Sequence, residues 1–226
     1  MEVPKRANWF EKAPPDGDDL GNNSYGCCVP AADFREIELR RRVAHGDAWR
    51  PTRETVLARY AAIAGWRQDD PTTDQGTVTT TDMADRCSRG IRINDQDLDV
   101  VRWATVHPAN DADISLAIAH LGSLLITLAL PLALQDLSLW SKAPGDGPDW
   151  VAGSWGAHRV MVGAFDGPER VCRTWGLDLT LHPTSWARYC IACDATISRM
   201  WLDATGLSPS GLDWDALQED LQDLAT

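Results

Sequence analysis

The sequence predicts an α+β fold. Apolar residues recur at helical spacing through most of the first half of the chain. Alternating or continuous runs of β-forming residues dominate the second half, and Asp166-Gly167 lies between two of them as a hairpin signal. Helices that precede antiparallel strands are typical of the α+β class.

Helical patterns account for the first half. The first helix is expected over residues 28–45, with Pro30 in its first turn, where the missing N–H would have had no partner. Its Arg40-Arg41-Arg42 run is expected to face solvent. The other elements expected here are a helix from the Thr52 cap to Gly65, a polar loop over 67–80 and a short helix over 82–88.

Strand patterns dominate the second half. The predicted strands cover residues 100–106, 124–130, 158–164, 170–175 and, last, 196–202. The predicted helices run from the Asn110-Asp111 cap to Gly122, from Pro183 as a short helix, and over 214–224 as an acidic helix. A loop is predicted over 131–150. Residues 116–134 carry no formal charge, but Gly122 and Pro131 divide them. They are therefore predicted to be a core helix and strand, not a membrane span.

Residues 1–19 are rich in Pro, Asp and Lys and are expected to form an extended N-terminal arm with little structure of its own. Residues 20–226 then form one domain, with a helical part over about 20–95 and a sheet part over about 96–226. A chain of 226 residues can bury a sizeable core.

Charge and cysteine content exclude several functions. The net charge of −12 argues against nucleic acid as the main partner, because phosphate contacts need Lys and Arg. Six cysteines in a chain this long do not predict a disulfide scaffold, and the first ten residues lack the apolar segment of a signal peptide. We therefore expect synthesis in a reducing cytoplasm. No membrane partner, metal or cofactor is expected.

Two cysteine pairs raise other possibilities. Cys190-Ile191-Ala192-Cys193 is a single C-x-x-C, which is compatible with half a zinc site or a redox motif. A second such pair and a thioredoxin-like context are both missing, so a structural role is favoured. Adjacent cysteines rarely bridge each other, so a packing role is also favoured for Cys27 beside Cys28.

The stretch from Leu20 to Cys28 carries the main chemical signal. Turn-forming residues lead directly into a cysteine at the start of a helix, where unpaired N–H groups and the macrodipole favour a thiolate. A base is available in Trp155-Gly156-Ala157-His158. Cys28 and His158 are therefore predicted to be a nucleophile and its base. The alternative is a buried cysteine that packs and a histidine that satisfies a sheet edge.

These segments resemble those of papain-like peptidases. In that family a cysteine precedes a helix and a histidine begins a strand about 130 residues later, as Cys28 and His158 do here. Asn22 lies six residues before Cys28, at the place of the glutamine that serves the oxyanion hole. Thr174-Trp175-Gly176 is similar to the end of the family's Asn-Ser-Trp-Gly motif.

The resemblance is narrower to papain-like proteins encoded by bacteriophages and prophages, which carry Gly-Asn-Asp-x-x-Gly-Asp-Cys. In this chain Cys27 replaces the last Asp of that motif. The resemblance implies a helical half and an antiparallel sheet half with a cleft between them. It also implies catalytic roles for Cys28 and His158, and an oxyanion role for Asn22.

The same alignment places Arg173 at the third catalytic position, where the family has Asn. Arginine only donates hydrogen bonds, so it cannot accept the imidazole N–H. We therefore expect a degenerate thiol-peptidase site, unless Asp178 acts as a substitute acceptor.

Two functions follow from the resemblance. The first is a structural or accessory protein of a phage particle, made in the bacterial cytoplasm, incorporated into the virion and bound to other phage structural proteins. The alternative is an active papain-like cysteine peptidase or amidase that uses Cys28 and His158 on a peptide substrate.

Overall fold

Helices come first along the chain and a large antiparallel sheet follows. The computed structural model describes residues 2–93, 96–98, 100, 102–203, 205–216 and 219. The helices in this part of the chain are α1 Cys28–His45, α2 Arg53–Ala64, α3 Thr79–Ser88, α4 Asp111–Leu121 and α5 Pro183–Tyr189. The strands are β1 Arg6–Asn8, β2 Ile91–Ile93, β3 Gln96–Leu98, β4 Arg102–Val106, β5 Leu124–Leu130, β6 Gly156–Asp166, β7 Glu169–Thr174, β8 Leu177–Leu181 and β9 Cys190–Ile197.

The sheet has the strand order β4-β9-β5-β6-β7-β8, and β1 pairs with the far end of β6. All of its neighbouring strands are antiparallel. The predicted hairpin at Asp166-Gly167 joins β6 to β7, with Gly167 in the left-handed region. The separate β2–β3 hairpin and strand β8 have no counterpart among the predicted elements.

Local capping explains where the helices begin and end. The Thr52 hydroxyl accepts the N–H of Thr55, and the Asn110 side chain accepts the N–H of Asp113. Gly122 ends α4 with φ of 84°, and a Cβ there would contact the Trp201 ring at 2.7 Å. Residues 116–134 thus divide into a helix end and strand β5, as predicted. No helix in the described ranges is long and apolar enough to cross a membrane.

Helix α1 packs between the two halves and is buried on both faces. Phe34 and Ile37 belong to the core of the helical half. Ala32 and Leu39 pack in a cluster with Met161 of β6. Because α1 is covered on both sides, the prediction of a solvent-facing arginine run is wrong for Arg40.

The Arg40 side chain is fully buried and lies 3.2 Å from Glu36. It also donates to the Thr196 carbonyl at 2.8 Å. Glu36 receives further hydrogen bonds from Arg86, Ser123 and Thr196. This buried network joins α1 to α3 and to the sheet, and its charges are paired, as burial requires.

The N-terminal arm packs onto the sheet. Strand β1 pairs with β6, with Arg6 opposite Asp166, and the Trp9 indole N–H donates to the Ile118 carbonyl at 2.9 Å. Phe10 is buried, and its ring lies where a Cβ on Gly163 would be. The expectation of an arm with little structure of its own is therefore wrong, because β6 offers it an open strand edge and the core accepts its aromatic rings.

Two predictions near the C-terminus fare differently. The last strand is Cys190–Ile197, and Arg199–Trp201 is a short 3₁₀ helix, so the strand predicted over 196–202 is misplaced. The acidic helix predicted over 214–224 lies largely outside the described residues.

Candidate active site

Cys28 is the first residue of α1, and a tight turn places it there. Leu20 and Gly21 both have positive φ, and the Tyr25 N–H donates to the Gly21 carbonyl at 3.0 Å. Cys27 precedes the helix with its thiol buried 3.9 Å from the Leu20 carbonyl. The turn therefore directs the two adjacent cysteines differently, and Cys28 alone lines a cleft.

His158 lies near the start of β6, and its ring is held on two sides. The imidazole stacks on the Trp175 indole, with centroids 4.5 Å apart and an interplanar angle of 11°. Its Nε2 lies 2.7 Å from the Thr174 hydroxyl. These contacts fix the plane of the ring and engage Nε2, whereas Nδ1 makes no hydrogen bond to any described residue.

A cleft of about 220 Å³ brings the predicted residues together. We call it the Cys28 cleft, and its lining residues are Asn22, Asn23, Tyr25, Gly26, Cys28, Leu130, Trp155, Gly156, Ala157, His158 and Trp175. The structure thus places Cys28 and His158 on the walls of one cleft between α1 and the sheet. Within the described part of the chain, no hydrogen bond joins the Cys28 sulfur to the imidazole.

Asn22 lies in the same cleft. Its backbone N–H donates to the Asp19 carbonyl at 3.0 Å, whereas its amide side chain has no hydrogen-bond partner among the residues described. The Cys28 N–H belongs to the first helical turn, where N–H groups lack intrahelical acceptors. The site thus has two donors available to a ligand oxygen.

Arg173 does not face His158. It lies opposite Met161 on β6, and its guanidinium forms two hydrogen bonds with Asp178, at 2.7 and 2.8 Å. The same guanidinium lies 4.1 Å from the centroid of the Phe10 ring. The expectation that position 173 adjoins the imidazole is therefore wrong, and Asp178 is held by Arg173 and is not a substitute acceptor for His158.

The contact with His158 that the alignment assigned to position 173 is made by Thr174. The β6–β7 register slips between Val162 and Ala164, which shifts the geometry by one residue. Just beyond Thr174, Trp175 has φ of 49°. A positive φ at a bulky residue is uncommon and marks a backbone held by its surroundings. The Thr-Trp-Gly motif was visible in the sequence, but the slip that turns Thr174 toward His158 was not.

The electrostatics of the pair favour two neutral groups. Burial raises the pKa of the Cys28 thiol, although the nearby Arg159 N–H and guanidinium and the helix N–H groups act in the opposite direction. Burial also lowers the pKa of His158 to about 4. The expectation that the helix terminus favours a thiolate at Cys28 is therefore wrong, because desolvation of the thiol outweighs the helix terminus.

The neighbouring Cys27 thiol does not line the Cys28 cleft, and no metal site accompanies that cleft in the described part of the chain. Burial raises the pKa of Cys27 to about 12, which keeps it a thiol. In the described ranges no group of three or more His, Cys, Asp or Glu residues is placed to hold a metal ion.

Comparison with known proteins supplies a structural neighbour. The chain superimposes on xylellain, a cysteine protease from Xylella fastidiosa, with a TM-score of 0.61 over 86% of each chain. The fold is papain-like. This confirms the predicted α+β architecture of a helical half and an antiparallel sheet half.

The likeness concerns the fold alone, because only 14% of the residues are identical. No protein-family model and no curated protein sequence matches the chain. Any function must therefore be argued from the residues of the Cys28 cleft.

Proposed function

We propose that this protein is a papain-like thiol hydrolase that cleaves amide bonds, with Cys28 as nucleophile and His158 as general base. The observation that carries the proposal is the 2.7 Å contact between His158 Nε2 and the Thr174 hydroxyl, in a cleft that also holds Cys28. Because Thr174 engages Nε2, Nδ1 is the ring nitrogen left to exchange a proton with Cys28 and the substrate. A nucleophile, a base and a third group that orients the base are the three parts such a site needs.

The chemistry follows the positions of these groups. As substrate binds, His158 Nδ1 takes the proton of the Cys28 thiol, and the thiolate attacks the carbonyl carbon. The Cys28 N–H and the Asn22 amide donate to the oxygen that becomes negative. The imidazolium then protonates the leaving amine, and water hydrolyses the remaining thioester.

In the resting site both Cys28 and His158 are uncharged, and this affects the rate of turnover. A histidine with a pKa of about 4 is a weak base, so proton transfer must be driven by substrate binding in the cleft. Thr174 orients the imidazole less strictly than an amide oxygen would, because a hydroxyl both donates and accepts. Both features predict slow turnover.

A peptide panel tests the proposal. The wild-type protein is incubated with a mixture of peptides, and new N-termini are read by mass spectrometry. Cleavage that disappears in Cys28→Ser but persists in Cys87→Ser supports the hydrolase, since Cys87 is partly exposed on α3 and does not line the cleft. A panel left intact by the folded protein contradicts it.

As a second candidate we propose a structural or accessory protein of a phage particle that keeps a degenerate site. The lack of a Cys28–His158 hydrogen bond across the described residues, together with the neutral state of both groups, favours the degenerate site that this candidate requires. The protein would then be made in the bacterial cytoplasm and bind other structural proteins in the virion. Its presence in purified particles, with unchanged assembly in Cys28→Ser, supports this candidate, whereas its absence from them contradicts it.

A further inference from the structure

Two further thiols lie together at the junction of α5 and β9. The sulfur atoms of Cys190 and Cys193 are 3.5 Å apart, and both residues are buried. In a regular strand, residues three apart point to opposite faces of the sheet. A local departure from regular geometry must therefore bring these two side chains together.

The pairing with β5 identifies that departure. Cys193 lies opposite Ile126 and Cys190 lies opposite Leu128, with a register shift between Thr127 and Leu128. Ile126 and Leu128 are two residues apart and share one face, so their partners on β9 share it as well. The extra residue on β9 is Ile191, whose side chain is 58% exposed.

The pair is reachable from one side. Cys193 is fully buried, whereas Cys190 lines a cavity of about 530 Å³. Exposed residues such as His107 and Ile191 border the same cavity. A small oxidant can therefore reach the Cys190 sulfur first and leave Cys193 as the second, resolving thiol.

We infer that Cys190 and Cys193 are a redox-active dithiol, which a peroxide converts reversibly into an intrachain disulfide. The Cys190 sulfur attacks the peroxide and breaks its O–O bond, which leaves a sulfenic acid and releases water when the peroxide is hydrogen peroxide. The Cys193 sulfur then attacks the sulfenic sulfur and displaces a second water. The two thiols lose two electrons and two protons, and the peroxide is reduced to two waters.

The geometry suits this step. A disulfide has an S–S length of about 2.05 Å, so the sulfurs must approach by about 1.5 Å. The hydrogen bond between the two thiols already aligns them, and it raises the pKa of Cys193, which keeps that residue protonated until Cys190 has reacted. This dithiol is separate from the Cys28 cleft, and its chemistry does not depend on the proposed hydrolase.

Peptide mass spectrometry of the native chain tests the inference. The folded protein is treated with hydrogen peroxide at equal concentration, blocked with iodoacetamide and digested with trypsin under non-reducing conditions. Cleavage after Arg188 and Arg199 yields one peptide that contains both cysteines. After blocking, the dithiol form of this peptide carries two carbamidomethyl groups of about 57 Da each, so the disulfide form is lighter by about 116 Da, these two groups and two hydrogens.

We expect this peptide to lose two hydrogens before Cys28 or Cys87 is oxidised, and dithiothreitol to restore it. Cys193→Ser should leave Cys190 as a sulfenic acid that dimedone captures, whereas Cys172→Ser should still form the disulfide. Cys172 is a matched control because it is also fully buried in the sheet. A peptide that stays in the dithiol form in the folded protein, or that closes only in urea, overturns the inference.

Discussion

Replacing His158 with glutamine should remove a specific pH dependence of stability. Burial lowers the pKa of this histidine from 6.5 to about 4, and its side chain is 8% exposed. A tenfold change in proton affinity is worth about 1.36 kcal/mol. The lowered pKa therefore corresponds to about 3 kcal/mol of folding free energy.

The direction in which stability changes with pH follows from proton binding to His158 in the folded and unfolded states. Between pH 6.5 and 4 the unfolded chain binds a proton at His158 and the folded chain does not, so stability falls as the pH falls through this window. Above pH 6.5 both states are neutral at this position, and the contribution of His158 no longer changes. Below pH 4 both are protonated and the full loss of about 3 kcal/mol has accumulated.

Urea unfolding from pH 7.5 to pH 4 measures the effect in wild type and in His158→Gln. Glutamine does not titrate and retains a donor for the Thr174 hydroxyl. The difference in unfolding free energy between the two proteins should change by about 3 kcal/mol across the window. His107→Gln replaces an exposed histidine and is the matched control. Parallel pH profiles for wild type and His158→Gln would refute the argument that burial holds this imidazole neutral.

Three further substitutions test the site and its support. Thr174→Val should lower kcat on any amide substrate about fivefold with little change in KM, because one hydrogen bond to His158, worth about 1 kcal/mol, is lost. Arg173→Met should lower stability by about 1.5–3 kcal/mol and leave kcat unchanged, since its paired hydrogen bonds go to Asp178. Glu36→Gln should lower stability by about 3–5 kcal/mol, as it leaves buried Arg40 without its carboxylate and buried Arg86 with Asp33 alone.

Each of these predictions has a control. Thr174→Ser keeps the hydroxyl and should retain kcat, so equal losses in the two Thr174 variants would exclude the orienting role. Adding Asp178→Asn to Arg173→Met should cost less than the sum of the single changes, and strict additivity would show that the pair does not interact. Glu54→Gln changes an exposed glutamate and should be neutral, and urea unfolding compares it with Glu36→Gln.

The helices and the hairpin could be predicted because their signals are local. The cap at Thr52, the stop at Gly122 and the turn at Asp166-Gly167 each act within a few residues, and each lies where the structure has it. The juxtaposition of Cys28 and His158 followed from a resemblance in order along the chain, which the fold supports.

The remaining features depend on contacts between distant parts of the chain. Arg40 is buried because α1 packs against the sheet as well as against the rest of the helical half. The residue pattern of a helix does not show that a second layer will cover its other face. Strand β1 has no alternating apolar pattern and forms because β6 offers an edge. Thr174 replaces Arg173 beside His158 because one register slip turns the strand, and a slip cannot be counted from residue spacing.

Acylation of Cys28 is the most direct test of the proposed hydrolase. The folded protein is mixed with an activated peptidyl ester, quenched in acid within seconds and analysed as intact protein and as peptides. The proposal predicts one acyl group on Cys28 of the wild type, none on Cys28→Ser, and slower acylation in Thr174→Val than in Thr174→Ser. A folded wild-type protein that acquires no acyl group, or that acquires it equally on Cys27 or Cys87, would contradict the assignment of Cys28 and His158 as a catalytic pair.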